Sequence, residues 1–151
     1  MPQSFAANYV HVVFSTKHRY AYMADETLRK CMWAGLAEIS GRLECPAEIV
    51  GGHADHVHIL ARVHRTVALS DWIKELKRVS SVWAKQLQAM ERSFAWQNGY
   101  AAFSVSVSNL VAVRQYILNQ EEHHQKISFQ DEYRAILQKH GVDWDERYVW
   151  D

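Results

Sequence analysis

The sequence predicts an α+β fold: an antiparallel βαββαβ sheet with helices on one face, followed by C-terminal helices. Three observations predict it. Three short runs alternate their faces as strands do, a fourth short run joins one of them through a turn, and two longer segments carry helical periodicity. Their order is strand-helix-strand-strand-helix-strand, which is the split βαβ or ferredoxin-like plan. The 151 residues fit one domain, with 1–108 as the sheet-and-helix core and 109–151 as further helices and a tail.

The first strand spans Tyr9–Phe14, with Val10, Val12 and Phe14 on one face and Tyr9, His11 and Val13 on the other. It exits into Ser15-Thr16-Lys17-His18-Arg19, a basic cluster that is either a solvated loop or a phosphate contact. From Asp25 to Leu43 the period changes. Leu28, Met32, Leu36 and Ile39 recur at helical spacing, and Asp25 is placed to cap the first turn. Gly41 and Pro46 bracket the exit, Glu48–Val50 is a short strand, and Gly51-Gly52 turns the chain back as a hairpin.

The returning strand, Asp55–Val63, carries the chemistry. Val57, Ile59, Ala61 and Val63 share one face, while His56, His58 and Leu60 share the other. Two imidazoles on one strand face can converge on one metal ion or one phosphate, with Val57 anchoring the strand from behind. His-x-His alone also fits an edge strand with two idle histidines.

Ser70 is placed to cap a second helix, whose stripe is Leu69, Ile73, Leu76, Trp83 and Leu87. Lys74, Lys77, Arg78 and Lys85 lie mostly off that stripe and make the densest positive patch in the chain. Phe94–Tyr100 is aromatic and turn-like. Phe103–Ser108 alternates as a fourth strand, with Phe103, Val105 and Val107 inward. Asn109 is placed to cap a third helix from Leu110 to about His123. Ser128 with Asp131 caps a fourth, which ends before Gly141. The tail Asp143–Asp151 is acidic and aromatic and takes no assignment.

Composition removes several function classes. The two cysteines, Cys31 and Cys45, lack CxxC spacing, so neither a disulfide framework nor a zinc ribbon is expected. No apolar run is long enough to span a bilayer and no signal-peptide pattern opens the chain; a cytoplasmic setting is expected. Net charge is zero, which argues against simple electrostatic DNA binding. The charge is unevenly distributed. Residues 1–90 hold eleven Lys/Arg against eight Asp/Glu, and residues 91–151 hold six against nine. A nucleic-acid surface is therefore expected in the first two-thirds.

In a sheet with helices on one face, His56 and His58 fall on the open face, which must be covered by the third helix or by a second copy of the chain. That helix carries Tyr116 and Gln120 four residues apart, on one face and one turn from each other. A helical tyrosine is by itself an ordinary core residue. The combination is more specific. Val12-Val13-Phe14-Ser15-Thr16-Lys17, Asp55-His56-Val57-His58, Trp96-Gln97-Asn98-Gly99-Tyr100 and Tyr116-Ile117-Leu118-Asn119-Gln120 with His123-His124 span nearly the whole chain. Together they resemble the single-tyrosine HUH transposases, the small transposase A proteins of bacterial insertion sequences and their REP-associated relatives.

The resemblance implies a function and a site. Such enzymes cleave and rejoin single-stranded DNA at hairpin-marked element ends through a 5′-phosphotyrosine. Tyr116 maps onto the nucleophile, and His56, His58 and Gln120 onto the ligands of one divalent metal. Mixed nitrogen and oxygen ligands with open positions suit Mg²⁺ or Mn²⁺ acting at a phosphate. The implied partners are single-stranded DNA with hairpins and, in the dimeric members, a second protomer that shares its active site. A bacterial or archaeal cytoplasm follows. DNA contacts are expected from Lys17, Arg19, Lys74, Lys77, Arg78 and Lys85. Trp96 or Tyr100 is placed to stack an unpaired base, although Trp96 fits the core equally well. No group that takes the Tyr116 proton stands out, although His53 is one candidate. Three rivals remain open: a non-catalytic single-strand-binding module, a water-using metal nuclease with a structural Tyr116, and a domesticated relative acting on host repeats.

Overall fold

The computed structural model describes residues 2–151. Strand β1 (Asn8–Ser15) leads through a short basic turn at Lys17–Arg19 into helix α1 (Glu26–Arg42). Strands β2 (Ala47–Gly52) and β3 (His56–Val63) form a hairpin, and helix α2 (Leu69–Ala84) carries the chain to β4 (Ala101–Val105). Three helices follow: α3 (Leu110–Leu118), α4 (Gln120–His123) and α5 (Phe129–Lys139). The sheet order is β2-β3-β1-β4 with every pairing antiparallel, as the split βαβ plan requires. Among the described residues, no helix is long and apolar enough to cross a membrane.

Each sheet face carries its own core. Val10, Val12 and Phe14 of β1 and Val57, Ile59, Ala61 and Val63 of β3 pack against α1 and α2 through Met32, Leu36, Ile73 and Leu76. Asp25 caps α1 by accepting from the Leu28 amide at 2.8 Å. On the other face Val13, Ala101 and Phe103 meet Phe129, Tyr133, Ile136 and Leu137 of α5. The histidine face is thus covered within the same chain, and the helix over it is α5. Helix α3 lies at its edge, against β2 and β3. Ser128 caps α5 through the Asp131 amide, and Gly141 closes it with φ +67°.

Four local expectations need correction. Helix α2 starts at Leu69 after Ala68, so Ser70 is not its cap. The fourth strand ends at Val105, and Val107 sits exposed in a 3₁₀ turn, because the chain must leave the sheet to begin α3. Asn109 gives α3 no side-chain cap. The third helix breaks at Asn119, and α4 restarts at the next residue, Gln120, whose side chain is buried.

Gly51 sets how closely α3 approaches the sheet. A Cβ there would stand 2.8 Å from both Cγ2 and the carbonyl oxygen of Ile117, next to Tyr116. Gly51→Ala is expected to cost about 1–3 kcal/mol as overpacking against a helix backbone. Thermal denaturation checks this, and an unchanged midpoint would show that α3 is not held at that spacing.

Candidate active site

Three elements bring one set of side chains together. Strand β3 supplies His56 and His58, both fully buried on the face opposite Val57. The α3–α4 break supplies Tyr116 and Gln120. Helix α5 supplies Glu132, whose carboxylate is almost fully buried at the centre. His58 Nε2 lies 3.1 Å from Glu132 Oε1, His124 Nε2 lies 2.9 Å from that oxygen, and Gln120 Nε2 donates to Glu132 Oε2 at 2.8 Å. The Tyr116 hydroxyl donates to Glu132 Oε2 as well. Phe129 stacks on the His56 ring at 4.4 Å between centroids and seals that side.

The electrostatics follow from burial and this shared carboxylate. Burial alone would raise the Glu132 pKa, but hydrogen bonds from His124 and His58 outweigh it and hold the carboxyl well below the usual range. Burial pulls His58 down to about 4 against the pull of Glu132, so its imidazole is neutral. Burial and the neighbouring His58 take His11 down to about 3. The Tyr116 phenol is pushed up, first by burial and then by the Glu132 charge. Glu132 raises His124 despite its burial.

The donor set fits a divalent cation. His56 donates from Nδ1 to Asp55 Oδ1 at 2.8 Å, and His58 Nδ1 meets His11 Nε2 at 2.8 Å, which leaves both Nε2 atoms aimed at the centre. The Gln120 amide can be oriented in only one way. Its nitrogen faces Glu132, which as a carboxylate only accepts, so its oxygen faces His56 Nε2 at 3.0 Å. With Nδ1 already donating, His56 Nε2 and that oxygen need a cation or a proton between them. His56, His58 and Glu132 offer ligand atoms within 4.8 Å of one another, and so do His123, His124 and Glu132.

Residues singled out in the sequence are thus brought together at Tyr116, His56, His58 and Gln120, within one chain and without a second protomer. Glu132 was missed. Its Asp-Glu setting in an amphipathic helix reads as first-turn surface charge, and only the docking of α5 turns it inward. His53, which faces the turn, bonds its own neighbour's amide.

The basic residues divide. Lys74, Lys77 and Arg78 line a groove of about 360 Å³ together with Gln97, Asn98 and Tyr100. Lys17 lines a separate hollow beside Trp150 and Asp151, and exposed Lys85 belongs to neither. Arg19 is covered by the tail, with its guanidinium 5.3 Å from the Trp150 ring centroid. Trp96 is not an exposed platform. It is buried against Phe14 and Phe94 and donates its indole N–H to Ser80 Oγ at 2.9 Å, so the core reading holds.

Lys77 also departs from a solvated cation. Its ammonium donates to the carbonyls of Gln97, Asn98 and Gly99 at 2.9, 3.2 and 2.6 Å. Burial pulls it down to about 8, so it stays charged at neutral pH. Lys77→Met is expected to cost about 1–3 kcal/mol, since those carbonyls lose their donor. Urea unfolding reads the loss, and an unchanged midpoint would mean that water replaces the ammonium there.

Comparison with known proteins bears on the family and the fold. The family model described as "Transposase IS200 like" matches residues 4–120. No curated protein matches. A protein from Deinococcus radiodurans R1, crystallised as a candidate transposase, superposes with a TM-score of 0.58 at 22% identity, covering 80% of this chain and 96% of that one. A REP-associated tyrosine transposase bound to a REP hairpin superposes with a TM-score of 0.59 at 11% identity, covering 84% and 74%. At those identities the two structures speak for the fold, whereas the family match covers most of the sequence itself. The chain belongs to the IS200-like transposase family and is thereby a DNA-cleaving enzyme of transposition.

Proposed function

We propose that this chain cleaves and rejoins single-stranded DNA at hairpin-marked ends, using Tyr116 as the nucleophile at a divalent-metal centre held by His56, His58 and Gln120. One observation carries the reading. The Tyr116 hydroxyl and the histidine pair converge on the same buried point, the Glu132 carboxylate, from three separate elements. Nothing in packing alone requires a phenol, two imidazoles and an amide to meet there.

The chemistry follows from these groups. The Tyr116 oxygen attacks the scissile phosphorus, the bond to the 3′ oxygen breaks, and the products are a 5′-phosphotyrosine and a free 3′-hydroxyl. The ester keeps the bond energy, so another 3′-hydroxyl can reverse the step without ATP. A metal bound at the histidine pair supplies positive charge to the non-bridging phosphate oxygens. His56 and His58 are held for this by Asp55 and His11. A cleft of about 500 Å³ between β4, α3 and α5 opens beside Tyr116 and is lined by Phe103, Val113, Lys139 and His140. It gives a strand a route to the phenol. The groove of Lys74, Lys77, Arg78 and Tyr100 is the second DNA surface, where Tyr100 rather than Trp96 offers an exposed ring. The similarity to a hairpin-bound transposase supports hairpin DNA as the partner. The groups named meet within one chain, which supports a site formed within each protomer.

The test is incubation with Mg²⁺ or Mn²⁺ and single-stranded DNA carrying a hairpin, followed by denaturing electrophoresis. A protein–DNA adduct with a free 3′-hydroxyl on the released strand is expected, and it should disappear with a chelator. Cleavage without an adduct would instead establish a water-using nuclease, and retention of uncut DNA a binding module.

A further inference from the structure

Helix α4 is four residues long, and Asn119 gives it no side-chain cap. A helix this short does not hold itself in place, so its side chains must. Gln120 meets His56 and Glu132 inside the site. Glu121 leaves the site and meets Arg29 of α1, whose Nε and Nη2 donate to Glu121 Oε1 at 2.9 and 2.8 Å. Arg29 Nη1 donates to the carbonyls of Met23 and Ala24 at 2.9 and 3.0 Å. The Arg29 side chain is 7% exposed and that of Glu121 is 49% exposed. A guanidinium this buried is stable only because its N–H groups find acceptors, and an apolar residue would serve packing as well. An apolar residue would not tie α1 to α4.

The same node reaches the histidine strand. The Met23 amide donates to the Ala54 carbonyl at 2.9 Å, in the turn just before His56. Helices α3 and α4 are tied to each other as well, since backbone hydrogen bonds continue through the break. The Asn119 amide donates to the Gln115 carbonyl at 3.1 Å, and the His123 amide to the Asn119 carbonyl at 2.9 Å. Arg29 thus bonds, through Met23, to the turn that begins β3 and, through Glu121, to the helical pair that carries Tyr116 and Gln120. We propose that Arg29 is a positioning residue of the cleavage reaction: through Glu121 it holds α4, and with it Gln120 and Tyr116, over the histidines of its own chain. This rests on reading Tyr116 as the nucleophile.

The experiment uses the full chain with Mn²⁺ and hairpin-bearing single-stranded DNA. In Arg29→Met and in Glu121→Ala, the rate of adduct formation at saturating DNA is expected to fall on the order of 10–100-fold. The DNA concentration for half-maximal rate should stay within about twofold, because the link acts on geometry and not on DNA contact. The double variant should lose no more than the larger single loss, since both changes cut one link. In the chain without DNA, amide exchange across 110–123 should rise in Glu121→Ala while β1, β3 and α2 exchange as in the parent. Glu121 is half exposed, so this variant keeps the test decisive should Arg29→Met fail to fold. An unchanged adduct rate in Glu121→Ala, a loss carried by weaker half-saturation, losses that multiply in the double variant or exchange that rises throughout the chain would each overturn the proposal. The two readings fail separately. A parent that forms no adduct refutes the cleavage chemistry, and exchange across 110–123 then decides whether Arg29 holds α4. An adduct formed equally well by the parent and Glu121→Ala refutes the role of Arg29 alone.

Discussion

Tyr116→Phe is expected to remove the covalent DNA adduct altogether while leaving the molecule folded. Only the phenol oxygen is lost. The ring keeps its edge contacts with His58, at 5.7 Å between centroids, and with His11, at 6.2 Å. Glu132 keeps its contacts with Gln120, His58 and His124, so its charge stays compensated. The stability cost should therefore stay near the ~1 kcal/mol of one hydrogen bond. The catalytic cost is of another order. Removing the nucleophile from a covalent mechanism costs on the order of 10⁴-fold or more. Gel quantification of adduct reads it, alongside a melting curve and a hairpin-binding assay. An adduct that persists at more than trace level would place the nucleophile elsewhere, and a variant that fails to melt cooperatively would make Tyr116 structural.

Glu132→Leu is expected to be the most destabilising single change at the site. Leucine fills much of the space, but the Tyr116 hydroxyl, the Gln120 amide nitrogen, His58 and His124 all lose an acceptor, and only the side facing the cleft beside Tyr116 is open. Removing one partner from a buried charged network costs about 3–5 kcal/mol. For a chain of this size that lowers Tm by roughly 6–20 °C. Because Glu132 is the polar link between α5 and the groups of α3, α4 and β3, the loss should also loosen α5. Amide exchange across Phe129–Lys139 should rise while β1 and β3 stay protected. Glu132→Gln keeps an acceptor and should lose less. Melting of the chelated protein decides it. An unchanged midpoint in Glu132→Leu would mean that the apolar contacts of Phe129, Tyr133, Ile136 and Leu137 hold α5 without help.

Much of the fold could be read before any coordinates, for reasons visible in particular residues. Period-two alternation in Tyr9–Phe14 and Asp55–Val63 and the Leu28-Met32-Leu36-Ile39 spacing each specify an element locally, and the short connection leaves a hairpin as the simple one, although Gly51 and Gly52 themselves pair with His58 and Val57 and the turn is residues 53–55. The Asp25 and Ser128 caps were legible because a capping side chain bonds an amide three residues on. The Ser70 and Asn109 caps failed, since the same residue types also occur where no cap bond forms. The reading of Val107 as inward failed because alternation continues past the point where pairing with β1 stops.

The candidate site divides along the same line. Residue order alone put His56 with His58 on one strand face, because that pair lies within a single regular element whose period sets direction; Tyr116 and Gln120, four apart, both reach Glu132 even though the helix breaks between them at Asn119. What lies between the pairs was decided by long-range packing. Helix α5 covers the histidines because Val13, Ala101 and Phe103 expose an apolar strip that Phe129, Tyr133, Ile136 and Leu137 bury. That docking carries Glu132 to the centre, and no local pattern marks an acidic residue in a helix's first turn as buried. The break at Asn119 and the Ile127 carbonyl behind His124 arise in the same way. Sequence periodicity determines which way a side chain leaves its own element; which distant groups it meets depends on how the elements pack, and only the tertiary structure shows that.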